Sequence, residues 1–131
     1  VIYSSANNSA RGFIAGDTAV TKIDGVVVRP FPTQNYTSSS FGAAQSFGAG
    51  APNTSGVLDI LESGFIMANV VGTAPTKKGA VYVWCAAASG NHVQGGFETV
   101  ASAGNTAAIT NAHFTGGVDA NGVAEIRVFV S

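Results

Sequence analysis

The sequence predicts an all-β fold: a small β-barrel or β-sandwich of antiparallel hairpins, with extended arms at the N terminus and at residues 33–55. Seventeen of the 131 residues are glycine, and Val, Ile, Thr and Phe dominate the runs between them, as is typical of short strands separated by turns. The last run alternates between apolar and polar side chains. Only residues 57–62 compete seriously for a helix.

The first predicted strand covers residues 25–31 and ends at Pro30 and Pro32, because proline cannot donate a hydrogen bond to a sheet. Residues 57–62 fit either a short helix that stops at Gly64 or a strand that continues, after a bulge, over residues 65–71. The β-branched and glycine-rich flanks favour the strand.

Residues 80–86 form the next predicted strand, and both of its faces are apolar. A strand with this pattern is covered on both sides. Shorter strands are predicted at residues 97–101 and 107–109, with a turn at residues 103–105 between them.

The final strand gives the clearest pattern. Ile126, Val128 and Val130 share one face, while Glu125 and Arg127 share the other, which is the period of a half-buried strand. The DANG sequence at residues 119–122 is a tight-turn sequence, because Asn and Gly tolerate positive φ. It predicts a hairpin that joins a strand at residues 112–115 to the last one.

The low charge predicts a protein that works in an assembly. Only 10% of the residues are charged, against about a quarter in ordinary soluble domains. A chain of this length is expected to form a single β domain over residues 1–131, so much of its surface must be apolar or uncharged. Such surfaces are usually covered by other protein.

The same composition argues against several classes of function. The net charge is −1 and the only basic pair is Lys77-Lys78, so no patch could displace phosphate counterions from a nucleic acid. The longest uncharged apolar stretch, residues 79–97, is interrupted by a polar turn, and we expect no membrane partner. Cys85 is the only cysteine and cannot form an intrachain disulfide.

Two segments are predicted to be interaction arms. Residues 33–55 carry no charge, are rich in Ser, Gly and Ala, and space Tyr36, Phe41 and Phe47 five or six residues apart. A loop of this length is unusual in a compact domain. We interpret it as an arm anchored by its aromatic residues, and a flexible linker is the alternative. Residues 1–11, with Asn7-Asn8-Ser9, have a similar character.

A search for chemistry finds no catalytic, cofactor or metal site. His92 and His113 lack neighbouring ligands at metal-binding spacing, and Cys85 lies in a strand that is predicted to be buried, where thiols are inert. Asp59 and Glu62 have no partner base. We therefore expect a protein that is not an enzyme and has no cofactor.

Several segments, in order, resemble the capsid decoration, or structural cement, proteins of tailed bacteriophages. The strongest is GVVVRPFPTQ at residues 25–34. The others are SGVLDIL at 55–61, GAVYVW at 79–84, GGFE at 95–98 and DANGVAEI at 119–126. Together they extend over about residues 12–130. Residues 1–11 and the long insertion at residues 33–55 depart from the pattern.

The resemblance implies a non-enzymatic β-barrel or β-sandwich module, made in the cytoplasm of the bacterial host, that decorates the outer surface of the phage head. It implies two partners, the major capsid protein and other copies of this chain, as a homotrimer near three-fold axes with a dimer as the alternative. The candidate interface residues are Asn7, Asn8, Arg11, Arg29, Phe31, Pro32, Tyr36, Phe41 and Phe47.

Arg29 lies between three valines and Pro30, where an unpaired guanidinium would be costly. We expect it to pair with Glu62, Glu98 or Glu125, or with a carboxylate of a partner.

The main alternative function is a carbohydrate-binding or adhesion module of a tail fibre or surface appendage. It would use Trp84 with Tyr82 or Tyr36 as a stacking platform, and would therefore need Trp84 to be exposed.

Overall fold

The computed structural model describes residues 2–4, 10–28 and 59–129, and every element below lies in those ranges. The all-β prediction is confirmed, since the only helical segment among the described residues is a single 3₁₀ turn. No helix in the described part of the chain is long and apolar enough to cross a bilayer. In chain order the elements are β1 (Ile2–Ser4), β2 (Ala10–Gly12), the 3₁₀ turn (Asp17–Ala19), β3 (Val26–Val27), β4 (Ile60–Leu61), β5 (Gly64–Val71), β6 (Ala80–Trp84), β7 (Phe97–Glu98), β8 (Thr106–Val118) and β9 (Val123–Val128).

Five strands close into a barrel in the order β5-β7-β6-β8-β9, with β5 also paired to β9. The antiparallel β5–β9 ladder runs from Gly64 opposite Val128 to Asn69 opposite Val123. β7 runs parallel to β5, a pairing that the sequence did not predict, and the other barrel neighbours are antiparallel. The structure thus selects the barrel over the sandwich, and closure removes exposed sheet edges.

The barrel core follows the two-residue period of its strands. On β9 the inward side chains of Ile126 and Val128 are fully buried, and Arg127 between them is exposed, as predicted for the last strand. The residues without measurable exposure are Val81, Val83, Cys85, Ala107, Phe114, Ala124, Ile126 and Val128. Burial of this apolar surface is the main stabilising contribution to the fold.

The predicted β8–β9 hairpin is confirmed. Asp119 Oδ1 accepts hydrogen bonds of 2.8 Å from the backbone N–H groups of Asn121 and Val123. Gly122 has φ of 78°, a conformation that glycine adopts without a steric penalty. The two N–H donors, Val123 foremost, lower the pKa of the Asp119 carboxyl.

Other strand boundaries differ from the prediction. The two strands predicted at residues 107–109 and 112–115 are one strand of 13 residues, Thr106–Val118. The strand predicted at residues 97–101 ends at Glu98, and the chain bends at residues 99 and 100. The strand predicted at residues 80–86 ends at Trp84, after which Cys85 bonds to the Asn105 carbonyl of a loop.

A second, two-stranded sheet lies beside the barrel. Val26 pairs with Leu61 and Val27 pairs with Ile60, so the described part of residues 57–62 is a strand and not a helix. Residues 29–31 of the predicted first strand and residues 33–55 of the predicted arm lie outside the described residues.

The third sheet pairs β1 with β2, with Ile2 opposite Gly12 and Ser4 opposite Ala10. Part of the predicted N-terminal arm is therefore an antiparallel pair of strands.

Candidate protein-binding surface

Of the nine candidate interface residues, only Arg11 lies in the described part of the chain. Its guanidinium makes two hydrogen bonds of 3.0 Å to the two carboxylate oxygens of Asp17. Asp17 Oδ2 also accepts the Ile14 N–H at 2.8 Å. This bidentate pair holds β2 against the turn that follows it. Asn7, Asn8, Arg29, Phe31, Pro32, Tyr36, Phe41 and Phe47 lie outside the described residues, and their interface role stays a prediction.

The β3–β4 sheet joins the residues that precede and follow the long predicted arm. The Val28 N–H donates a hydrogen bond of 3.0 Å to the Asp59 carbonyl, directly after the Val27–Ile60 pair. The chain therefore leaves and re-enters the described fold at two hydrogen-bonded neighbours.

A further candidate surface lies on the outside of β5 and β9, where apolar side chains are exposed. Phe65 is 61% exposed and Met67 is 59% exposed, while the alternate residues Ile66 and Ala68 face the core. Exposed apolar residues that adjoin one another are typical of interaction sites. This surface was not predicted, although residues 64–71 are apolar on both faces, the same pattern that predicts cover on both sides of residues 80–86.

Two charged side chains flank these residues on β9. Arg127 is paired with Phe65 across the ladder and Glu125 is paired with Met67. The Arg127 guanidinium lies 5.6 Å from the centre of the Phe65 ring, a cation–π arrangement. Glu125 Oε1 accepts a hydrogen bond of 2.6 Å from the Thr115 hydroxyl, which fixes the carboxylate on the outer surface. We call Phe65, Met67, Glu125 and Arg127 the β5–β9 face.

Trp84 is only 7% exposed. Its indole N–H donates to the Ala87 carbonyl at 3.1 Å, and its ring stacks on His92 with centroids 4.2 Å apart. The predicted burial of this tryptophan is confirmed. The residue that covers its ring, His92, belongs to a loop of the same chain. A sugar ring would have to displace His92 in order to stack on Trp84.

His92 also satisfies a buried carboxylate. Its Nδ1 lies 2.8 Å from Oε1 of Glu98, and Glu98 is 3% exposed. A buried carboxylate without a partner would be costly, so this histidine has a structural role. Glu98 is thereby engaged with His92, and Glu125 with Thr115; Arg29, their predicted partner, lies outside the described residues.

The described residues show no side-chain cluster that could hold a metal ion. In these ranges no three His, Cys, Asp or Glu side chains converge on one point. Burial raises the pKa of the Cys85 thiol, which opposes formation of the nucleophilic thiolate. Asp59 and Glu62 are both exposed.

Comparison with known proteins identifies the family. The family model described as structural cement protein (E217 gp24/Pam3 gp6) matches residues 1–129. The chain belongs to the structural cement protein family. Searches of curated proteins and of solved structures gave no significant match. The resemblance seen in the sequence is confirmed over nearly the whole chain, and this cement protein is a structural component of the bacteriophage capsid.

Proposed function

We propose that this cement protein binds the outer surface of the phage head and bridges neighbouring major capsid protein subunits, without catalysing a reaction. The observation that carries the proposal is the family match over residues 1–129. The exposed apolar β5–β9 face and the low charge of the chain support it, because both suit a protein that functions in contact with other protein.

The stabilising effect follows from mass action. A protein that binds the mature shell more tightly than the disrupted shell stabilises the mature state through its binding free energy. When one module contacts two capsid subunits, the second contact becomes intramolecular, and overall affinity rises without any new kind of contact. Self-association would raise it further, with a homotrimer as the expected state and a dimer as the alternative.

The direct test adds the purified cement protein to heads assembled without it. We expect co-sedimentation with expanded heads and a higher temperature of head disruption, with bovine serum albumin as the control protein. Reconstruction of the decorated heads should place each copy on the outer surface against at least two capsid subunits. Heads that neither bind the protein nor gain thermal stability would contradict the proposal.

A second test addresses the predicted arm. Replacing Tyr36, Phe41 and Phe47 together with Ser should lower the occupancy of heads while the thermal unfolding of the free protein stays unchanged. The triple substitution Ser38→Ala, Ser39→Ala and Ser40→Ala is the matched control in the same segment. Equal occupancy of the aromatic variant and the control would show that the aromatic residues are not anchors.

A further inference from the structure

The β5–β9 face carries no net charge, because its two charges are opposite and lie in adjacent rows. Among all residues of β5, β8 and β9 there is one arginine, Arg127, and one carboxylate, Glu125. Both lie on the outer surface, in successive cross-strand rows. One row contains Phe65 and Arg127, and the next contains Met67 and Glu125.

We propose that two copies of this chain associate in solution through their β5–β9 faces, about a two-fold axis. The axis lies in the interface, runs perpendicular to the strands and passes between the two rows. It places Arg127 opposite the partner's Glu125 and Phe65 opposite the partner's Met67. Each of these contacts then occurs twice, as in every isologous interface.

The chemistry of the face favours a second copy as the occupant. The face carries one positive and one negative charge. The two-fold rotation places each charge opposite the partner's opposite charge, so the face is electrostatically complementary to itself. The aromatic ring and the thioether also form a favourable pair. Arg127 already lies over Phe65, and Thr115 already holds Glu125. These side chains therefore lose little conformational entropy on association.

The two-fold pairing is independent of capsid binding, since it concerns the free protein. It is also compatible with a trimer formed through other surfaces, in which case the β5–β9 faces link neighbouring trimers. The face would be covered by protein in either state, which accounts for the exposure of Phe65 and Met67 in the single chain.

The test exchanges the two charges. In Arg127→Glu alone, and in Glu125→Arg alone, like charges oppose each other across the axis, so the dissociation constant for self-association should rise at least about tenfold. The double variant Arg127→Glu/Glu125→Arg restores opposite charges and should regain wild-type association. An equimolar mixture of the two single variants should also regain it, because every contact in the mixed dimer joins Glu to Arg.

Sedimentation equilibrium gives the dissociation constants, and thermal unfolding verifies that each variant is folded. Lys22→Glu changes an exposed charge elsewhere by the same amount as Arg127→Glu and should leave association unchanged. A wild-type chain that stays monomeric up to about 100 μM would overturn the proposal. So would single variants that associate like wild type, or a mixture that fails to recover. A monomer that binds heads contradicts only this pairing, and a dimer that ignores heads contradicts only the proposed function.

Discussion

At the residue scale, Asn111 joins three distant parts of the chain. It is 4% exposed, and its Oδ1 accepts the Ile23 N–H at 3.0 Å. Its amide nitrogen donates to the carbonyls of Ile23 at 2.7 Å and of Phe129 at 3.2 Å. One side chain thus replaces the ladder hydrogen bonds that a neighbouring strand would supply, and it fixes the segment before β3 against β8.

Replacing Asn111 by Ala should lower the free energy of unfolding by about 2–4 kcal/mol, because the buried backbone groups of Ile23 and the partly buried carbonyl of Phe129 lose their partner. Urea denaturation measures the loss. Thr110→Ala is the control: its exposed hydroxyl bonds Thr21, but the Thr110 N–H to Thr21 bond remains, and we expect a loss below about 1 kcal/mol. Equal losses in the two variants would contradict the role of Asn111.

Asp119 should make the stability depend on pH in the acid range. Its pKa is lowered in the folded state, so its stabilising contribution is complete above the unfolded pKa of about 3.9 and is lost as the pH falls through the lower folded value. Asp119→Asn keeps an Oδ1 acceptor for the turn but does not titrate. The stability advantage of wild type over this variant should therefore stay constant from about pH 7 to pH 5 and shrink as the pH falls below about 4, measured by urea denaturation. An advantage independent of pH would exclude this explanation.

Some residue roles were readable from the sequence, and others depended on contacts between distant residues. The turn at residues 119–122 is local, so its Asn and Gly sufficed to predict it. The burial of Trp84 followed from its place in a strand with two apolar faces. The role of Asn111 was not predictable, because its partner Ile23 lies 88 residues away. His92 lies only six residues from its partner Glu98, yet no motif in the sequence marks this pair.

At the scale of elements, the β3–β4 sheet depends on Gly25, where the two strands approach closely. A Cβ atom at this position would lie 2.6 Å from the Leu61 carbonyl oxygen, which is too close for a backbone atom that cannot rotate away. The residue directly before β3 must therefore lack a side chain for the two strands to pair here.

Gly25→Ala should therefore separate β3 from β4 and lower the free energy of unfolding by about 1–3 kcal/mol. Gly12→Ala in β2 is the matched control, since its added Cβ would meet no atom within 4 Å, and we expect a change within about 0.5 kcal/mol. Chemical denaturation of both variants provides the comparison. A Gly25→Ala chain as stable as the control would show that the sheet adapts freely.

Strands were predictable where the pattern was local and strong. The alternation of β9 and the apolar run of β6 identified both strands, although β6 ended two residues earlier than predicted. The parallel β5–β7 pair was not predictable, because no turn sequence encodes it. The outer side of β5 was not predicted because its residues Phe65 and Met67 are apolar. The strand therefore lacks the alternation of apolar and polar residues that marks an outer face.

At the scale of the whole molecule, the barrel closes only when β5 meets β9, about 60 residues later in the chain. When distant strands pair, the chain loses the entropy of closing a long loop before stabilising contacts form. Folds of this kind therefore assemble slowly. Most of the candidate interface residues lie outside the described ranges. The inference that the protein works in an assembly came from its composition. Composition indicates the chemistry of the surface but not which residues are in contact.

We expect refolding from urea on the order of milliseconds to seconds. Trp84 is the only tryptophan and is buried in the native state, so its fluorescence reports barrel formation. Far-UV circular dichroism should give the same rate if strands and core form together. Refolding in microseconds would indicate that local contacts dominate, contrary to the topology.

The hydrogen bond between Val28 and Asp59 has a consequence for engineering. Because the two ends of the intervening sequence are already held together, each doubling of its length should cost only about 0.6 kcal/mol in closure entropy. A foreign epitope or enzyme whose own termini lie close together could be grafted at this position without cutting a barrel strand. The shell would then carry one cargo molecule for every copy of the protein.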